Sequence, residues 1–188
     1  MPAPIDEARI LDAALAVWRE LGFREATTRK VAERAGVGEV TIFRRFGDKA
    51  GLFGKALETQ AEEFRSAAAT YTGDLRIDLV AAVTAYQALL DRNGTIVLDF
   101  LLEASRNPQL SSIAPVPMQA VVAIAQVIGR HQSEDRLRPG APLLLVLQLL
   151  GPLIVRQALK GAQPTFSFDM PPDAVVNTFL EGWAHKPE

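Results

Sequence analysis

Arg44 carries the most specific chemistry in this chain. Its guanidinium has the forked shape that matches the N7 and O6 edge of guanine. It stands in the short stretch Glu39-Val40-Thr41-Ile42-Phe43-Arg44-Arg45-Phe46. If Ile42 and Phe46 anchor one face of a helix, a turn of about 100° per residue puts Val40 and Arg44 on the opposite face. Thr41 and Phe43 then lie on the flanks. Val40 can offer only apolar contact, as to a thymine methyl, while Thr41 can bond a phosphate or a base. Glu39, at the helix start, either accepts from cytosine N4 or caps backbone amides. Phe43 either faces the groove or joins the core, and Arg45, to one side, meets a phosphate or solvent. Arg29 and Lys30 upstream and Lys49 downstream add positive charge. Such a set suits a protein that grips phosphates for position and reads base edges for sequence.

A reader of this kind needs a short helix presented by a steep turn. The segment Thr27 to Phe46, TTRKVAERAGVGEVTIFRRF, supplies one: two short amphipathic patterns flank Gly36-Val37-Gly38. Val31, Ala32, Ala35, Val37, Ile42 and Phe46 form the apolar set to be buried. Thr27 or Thr28 can cap the second helix, and Gly36 can end it in left-handed geometry. The third helix runs from about Glu39 to Phe46 and is closed by Gly47. Asp48 caps a long fourth helix with a stripe of Leu52, Phe53, Ala56, Leu57 and Phe64. Upstream, Ile10, Ala14, Val17, Trp18 and Leu21 mark a bracing helix over residues 5 to 21, stopped by Gly22.

The order Thr-Thr, Ala32, Ala-Gly-Val, Thr-x-Phe-x-x-Phe and a Lys three residues beyond, followed by Ala50-Gly51-Leu52-Phe53, resembles the DNA-binding domain of the tetracycline-repressor (TetR/AcrR) family of transcriptional regulators. The resemblance covers roughly residues 5 to 57. It implies that Thr28 and residue 43 contact phosphates, that Arg29 reaches a base from the second helix, and that Lys49 grips the DNA backbone. Two positions depart from the family pattern. Phe43 stands where a Tyr is usual and lacks its hydroxyl, and Val40 replaces a small residue or Pro.

Composition is consistent with such a regulator. From Arg24 to Lys55 there are eight Lys/Arg against four Asp/Glu, a net of +4; the chain totals −2, so the rest carries −6. A basic reader on an acidic body fits a DNA-binding regulator better than a nonspecific architectural binder, which would be basic throughout. No cysteine is present, so a disulfide framework, a thiolate metal site and a Cys nucleophile are excluded. His131 reads as an exposed helix-end residue and His185 as part of the tail, far apart in sequence. With no glycine-rich phosphate loop or Ser elbow, no catalytic residue, metal or cofactor is expected. Met1-Pro2-Ala3-Pro4 leads into an amphipathic helix with no secretory signal, and a cytoplasmic location is expected. The longest apolar run, Ala141 to Val155, is shorter than the ~20 residues of a membrane crossing and is interrupted by Gln148, Gly151 and Pro152. It reads as a buried or interface helix.

The expected fold is all-α: a three-helix helix-turn-helix DNA-binding domain at 1–51, then a helical effector-binding and dimerisation domain at 52–188. In the latter, Leu75 to Leu90 and Ile96 to Leu101 mark two helices, the second ended by Asn107-Pro108. Pro115 and Pro117 precede a helix from Met118 to Gly129. Two further helices span Pro142 to about Leu159, with a kink at Pro152, and Asp173 to Trp183. The last two are apolar beyond the needs of one core face. Leu143, Leu147, Leu150, Ile154, Val176, Phe179, Leu180 and Trp183 are therefore the expected interface of a homodimer, whose two heads would reach major grooves ~34–36 Å apart on a palindromic operator. The resemblance also implies a small-molecule effector pocket, for which Phe64, Tyr86, Phe100 and Met118 are the candidates, suited to a hydrophobic effector; each is otherwise ordinary core. The competing reading is a ligand-binding helical protein with weak or nonspecific DNA binding.

Overall fold

The computed structural model describes residues 6–163 and 168–183; His185 lies outside them. All nine regular elements among the described residues are helices: α1 (Glu7–Glu25), α2 (Thr28–Ala35), α3 (Glu39–Phe46), α4 (Lys49–Ala68), α5 (Leu75–Glu103), α6 (Pro108–Ser112), α7 (Pro115–Ser133), α8 (Pro142–Ala162) and α9 (Pro172–Trp183). The chain is all-α, as its periodicity predicts. It divides into two compact units, residues 1–60 with 95–117, and residues 61–94 with 118–188. The first is larger than the expected 1–51 segment. Leu52, Phe53 and Ala56 of α4, Ile96 of α5, Leu110 of α6 and Ile113 all join the core of the first three helices.

In unit 1, Asp6 caps α1 by accepting from the Ala8 amide at 3.1 Å. The helix breaks at Gly22 (φ 75°, ψ 159°), and one further turn carries Phe23 into the core. Trp18, Phe23 and Phe53 pack as a triad with centroids 5.0–5.4 Å apart. Such tilted and edge-on contacts add about 0.5–1.5 kcal/mol per pair beyond area burial. The carboxylate of Asp99, on α5, accepts from the Trp18 indole Nε1 and from the Phe23 amide, each at 2.7 Å. It satisfies the indole donor of Trp18 and the Phe23 amide that follows the Gly22 break.

The turn chemistry follows the sequence. Thr27, not Thr28, caps α2, its hydroxyl accepting from the Lys30 amide at 3.2 Å. Gly36 ends that helix in the left-handed region (φ 67°, ψ 35°). Asp48 caps α4 through the Gly51 amide at 2.8 Å. Gly51 is required by space: a Cβ there would lie 2.0 Å from the carbonyl oxygen of Phe46. That close approach lets α4 start directly off the end of α3.

Unit 2 is built from the remaining parts of α4, α5 and α7 with α8 and α9. Phe64 and Tyr86 stack at 5.8 Å, and Leu79, Val83, Ile124, Ile128, Leu145, Leu149 and Val176 fill its interior. His131 is no exposed helix-end residue. It is fully buried, continuing the Ile124, Val127, Ile128 face of α7, and its Nε2 lies 2.8 Å from Oδ2 of the equally buried Asp78. The carboxylate of Asp78 also accepts from the amide and hydroxyl of Thr72.

Several boundaries differ from the sequence reading. The two helices expected over 75–101 form one element with a break at the buried Asn93 (φ −133°, ψ 21°). A short helix, α6, follows Asn107, whose side chain caps it. Helix α7 starts at Pro115, because a proline in a first turn forfeits no intrahelical hydrogen bond, and it continues through Gly129 to Ser133. Helix α8 continues past Pro152 to Ala162.

Candidate nucleic-acid interface

The third helix is held from behind and open in front. Ile42 is fully buried, and Phe46 and Val37 pack against the same core. On the opposite face Val40 is 79% exposed, Phe43 48% exposed and Arg44 exposed. Thr41 is half-buried on the flank, its amide taking the carbonyl of Gly38 at 2.9 Å. This is the arrangement that the 100° periodicity predicts, and a groove-reading helix requires it. Arg44 makes no hydrogen bond or ion pair among the described residues, which leaves its five N–H donors for an outside partner.

The surrounding polar side chains are engaged with the protein itself. Glu39 neither caps backbone amides nor stands free: its Oε1 accepts from the Thr28 hydroxyl at 2.7 Å, tying the start of α3 to the first turn of α2. Thr28 is buried and its hydroxyl proton is committed to Glu39; with the Lys30 amide capped by Thr27, the amides of Thr28 and Arg29 are the first-turn donors left to face a phosphate. Arg29 pairs with Glu33 at 3.0 Å on exposed ground, and Arg45 with Glu7 at 3.4 Å. Exposed pairs are worth only about 0–1 kcal/mol, so a phosphate can displace either glutamate. Lys30 donates to the Glu25 carbonyl at 2.8 Å.

Lys49 departs most from expectation. Its Nζ donates to the carbonyl oxygens of Phe23 at 2.5 Å and of Arg24 at 3.3 Å, and sits 4.3 Å from the centroid of the Phe23 ring. Burial pushes this ammonium below the usual lysine range, opposed by the nearby Glu25 and Asp99 carboxylates. Phe23 is thus clamped on both sides of its backbone, its amide by Asp99 and its carbonyl by Lys49. The spacing of Lys49 from Phe46 carries no sign of this, because the carbonyls it meets lie more than twenty residues upstream.

The expected dimer residues divide between the two sides of their helices. Leu150, Val176 and Phe179 are buried within the chain itself and are not available to a partner. Leu145, Val146, Leu149, Leu150 and Leu153 form the inward stripe of α8. Leu143 and Leu147 are exposed, with Leu144 and Val155 beside them, and Ile154, Leu180 and Trp183 are half-buried. Of the four expected pocket residues, Phe64 and Tyr86 pack on each other in unit 2, Phe100 packs into the core of unit 1, and Met118 is 52% exposed. None of the four lines the cleft between α4 and α7 or the one beside Met170. A helical spacing marks large apolar side chains but not whether their neighbours leave space.

Comparison with known proteins meets this geometry at the same segment. Residues 10–56 match the model of the bacterial regulatory proteins of the tetR family. The chain is 37% identical over 89 residues to YvkB, an uncharacterised helix-turn-helix-type transcriptional regulator of Bacillus subtilis strain 168, covering 47% of each chain. It thus spans less than half the length of the curated relatives it matches. Whole-chain likeness is to solved structures. A transcriptional regulator from Rhodococcus sp. Rha1 superposes with a TM-score of 0.73 at 21% identity, over 97% of this chain and 100% of that one. SmeT, the repressor of the Stenotrophomonas maltophilia multidrug efflux pump SmeDEF, superposes with a TM-score of 0.69 at 17% identity, over 95% and 90%. At such identities these two establish the fold.

Proposed function

We propose that this chain, a transcriptional regulator of the tetR family by its residues 10–56, is a homodimeric repressor that leaves a palindromic operator when a small molecule binds its helical body. The observation that carries the reading is α3 itself: Ile42 fully buried beneath it, Val40 and Arg44 presented outward, and Arg44 without a partner among the described residues. Arg44 reads guanine, Val40 packs on a thymine methyl, and Thr41 and Phe43 flank them. The Thr28 and Arg29 amides of α2, with Arg29 and Arg45 released from their glutamates, meet phosphates. The functional division is a DNA-binding part at 1–51 and an effector-binding and dimerisation part at 52–188. The protein works in the cytoplasm and carries out no catalytic step.

A single short helix contacts too few base pairs to specify a site, so a second copy is needed. The exposed Leu143, Leu144, Leu147 and Val155 of α8, with Ile154, Leu180 and Trp183, form the apolar patch that supports dimerisation. An effector can release DNA only by binding one conformation of the dimer better than the other. SmeT provides a precedent for a repressor on this fold.

The test is selection of bound fragments from a genomic DNA pool at physiological salt, followed by titration of the enriched sequence against random duplex. The expected result is one enriched palindrome with half-sites about one helical turn apart. Equal recovery of all sequences would instead favour a ligand-binding helical protein with weak or nonspecific DNA affinity, a reading supported by the missing hydroxyl at Phe43.

A further inference from the structure

A cleft in unit 2 lies between the second half of α4 and the middle of α7, with a volume of about 520 Å³. Its floor is made of small apolar residues, Ala69, Ala123 and Val127, which leave the space open. Arg65 stands on one wall with Ser66 and Thr70, and Arg130 on the other with Gln126. The volume falls within the range of small-molecule sites.

Arg130 is held in place by its surroundings. Its guanidinium lies 3.7 Å from the centroid of the Tyr71 ring and 3.6 Å from Glu134. The Tyr71 hydroxyl donates to Glu134 and accepts from Arg136, while the Tyr71 ring packs at 4.9 Å against His131. His131 is in turn fixed by the buried Asp78. This chain from Asp78 to Arg130 orients a planar fork at the cleft edge before any ligand arrives. Arg65 pairs with Glu62 on its own helix and remains partly exposed. Both glutamate partners are exposed or half-exposed, so their attraction is heavily screened and a carboxylate in the cleft can compete with them. The Glu134 carboxyl is held below its usual range, first by the Tyr71 hydroxyl, so it stays ionised beside Arg130 and Arg136.

We propose that this cleft binds a small amphipathic carboxylate, its acid bridging Arg65 and Arg130 and its apolar part lying on Ala69, Ala123 and Val127. An occupant would tie the second half of α4 to α7. Helix α4 also carries Leu52, Phe53 and Ala56 into the core of unit 1, so the cleft and that core share one helix. The proposal rests on the effector-released regulator reading for its purpose, and on the cleft alone for its chemistry.

The test uses the full chain and two probes of one shape, 2-naphthoate and the uncharged 2-naphthamide, in fluorescence titrations. Naphthoate should bind saturably at one site per chain and at least tenfold more tightly than naphthamide. Arg65→Gln and Arg130→Gln should each weaken naphthoate about tenfold and the pair about a hundredfold, with naphthamide unaffected. Arg92→Gln, which faces Glu63 elsewhere in unit 2, should change nothing. Arg65 shares no hydrogen bond or ion pair with the Tyr71 network among the described residues, so Arg65→Gln remains decisive even if Arg130→Gln disturbs folding. Equal affinity for the two probes, or naphthoate binding unchanged in Arg65→Gln, overturns the proposal. Binding to enriched DNA fragments is measured on the same samples. Selective naphthoate binding without operator binding would sink the regulator reading and leave the cleft standing; operator binding without selective naphthoate binding would do the reverse.

Discussion

Arg44 differs from Arg29, Lys30, Arg45 and Lys49 in what it has left to give. Arg29, Arg45, Lys30 and Lys49 all have partners within the protein; the first three hold theirs on exposed ground and can exchange them for phosphate, whereas Lys49 is half-buried. Replacing Arg44 by Ala should therefore cost about 1–3 kcal/mol of discrimination, which is roughly fivefold to 150-fold in operator affinity, and far less against random duplex. An equal loss on both DNAs would remove its base-reading role. Phe43→Tyr restores a hydroxyl on the exposed flank of α3 and should tighten operator and random duplex alike by about threefold to tenfold in gel-shift titrations. Lys49→Ala should act first on folding: it strips two carbonyls and an aromatic face of their cation, and the melting temperature should fall by several degrees as about 1–2 kcal/mol is lost. Unchanged melting with a flattened salt slope would return Lys49 to the DNA backbone. The Val40/Arg44 edge was legible in the sequence, since a helix repeats its faces every few residues. The inward turn of Lys49 and the Thr28–Glu39 bond were not, because spacing records which face a side chain leaves from and not what meets it there.

At the scale of elements, the joint around Phe23 holds α1, α4 and α5 together. Asp99 accepts the Trp18 and Phe23 N–H groups, and Lys49 covers the Phe23 carbonyl. Asp99→Leu leaves two buried donors unpaired, at about 1–3 kcal/mol each, a large share of a total stability of roughly 5–15 kcal/mol. Thermal melting should drop by about 5–15 °C, whereas Asp99→Asn, which keeps an acceptor oxygen, should lose less than half as much. Equal losses would mean that charge matters there and hydrogen bonding does not. The helices themselves were readable, down to the cap at Asp48, the choice of Thr27 or Thr28 for α2, the break at Gly22 and the stop at Gly36, because those residues act on the backbone next to them. The membership of α6 and the end of α5 in unit 1 was hidden. Leu110 and Ile113 reach the core of α1 to α4 by packing across more than fifty positions of chain, and five residues of α6 are too few to show a period. Pro115 misled for a related reason: a proline reads as a stop from upstream and serves as a start from downstream.

For the whole molecule, α8 poses one question with two surfaces. The helix is 21 residues long and contains an 18-residue stretch of mean hydropathy 1.7, enough by length and composition to cross a membrane. Its inward stripe accounts for Leu145, Val146, Leu149, Leu150 and Leu153. That leaves Leu143, Leu144, Leu147 and Val155 exposed on one chain, a cluster that costs solubility unless another surface covers it. A twofold copy is the occupant that the proposed regulator needs, since two α3 helices must reach one operator. Leu147→Glu tests this without touching the fold, because Leu147 is 58% exposed within its own chain. Sedimentation at micromolar concentration should show the wild type at twice the 20.4 kDa chain mass and the variant at 20.4 kDa, with nearly equal melting temperatures. Affinity for a palindromic operator should fall by about a hundredfold or more, because each head would then bind alone, while affinity for an isolated half-site stays as it was. Leu150→Glu, three residues along but facing the core, should instead unfold the chain. If Leu147→Glu keeps the doubled mass, the outer face of α8 is not where the copies meet, and the excess of leucine on that helix serves something other than pairing.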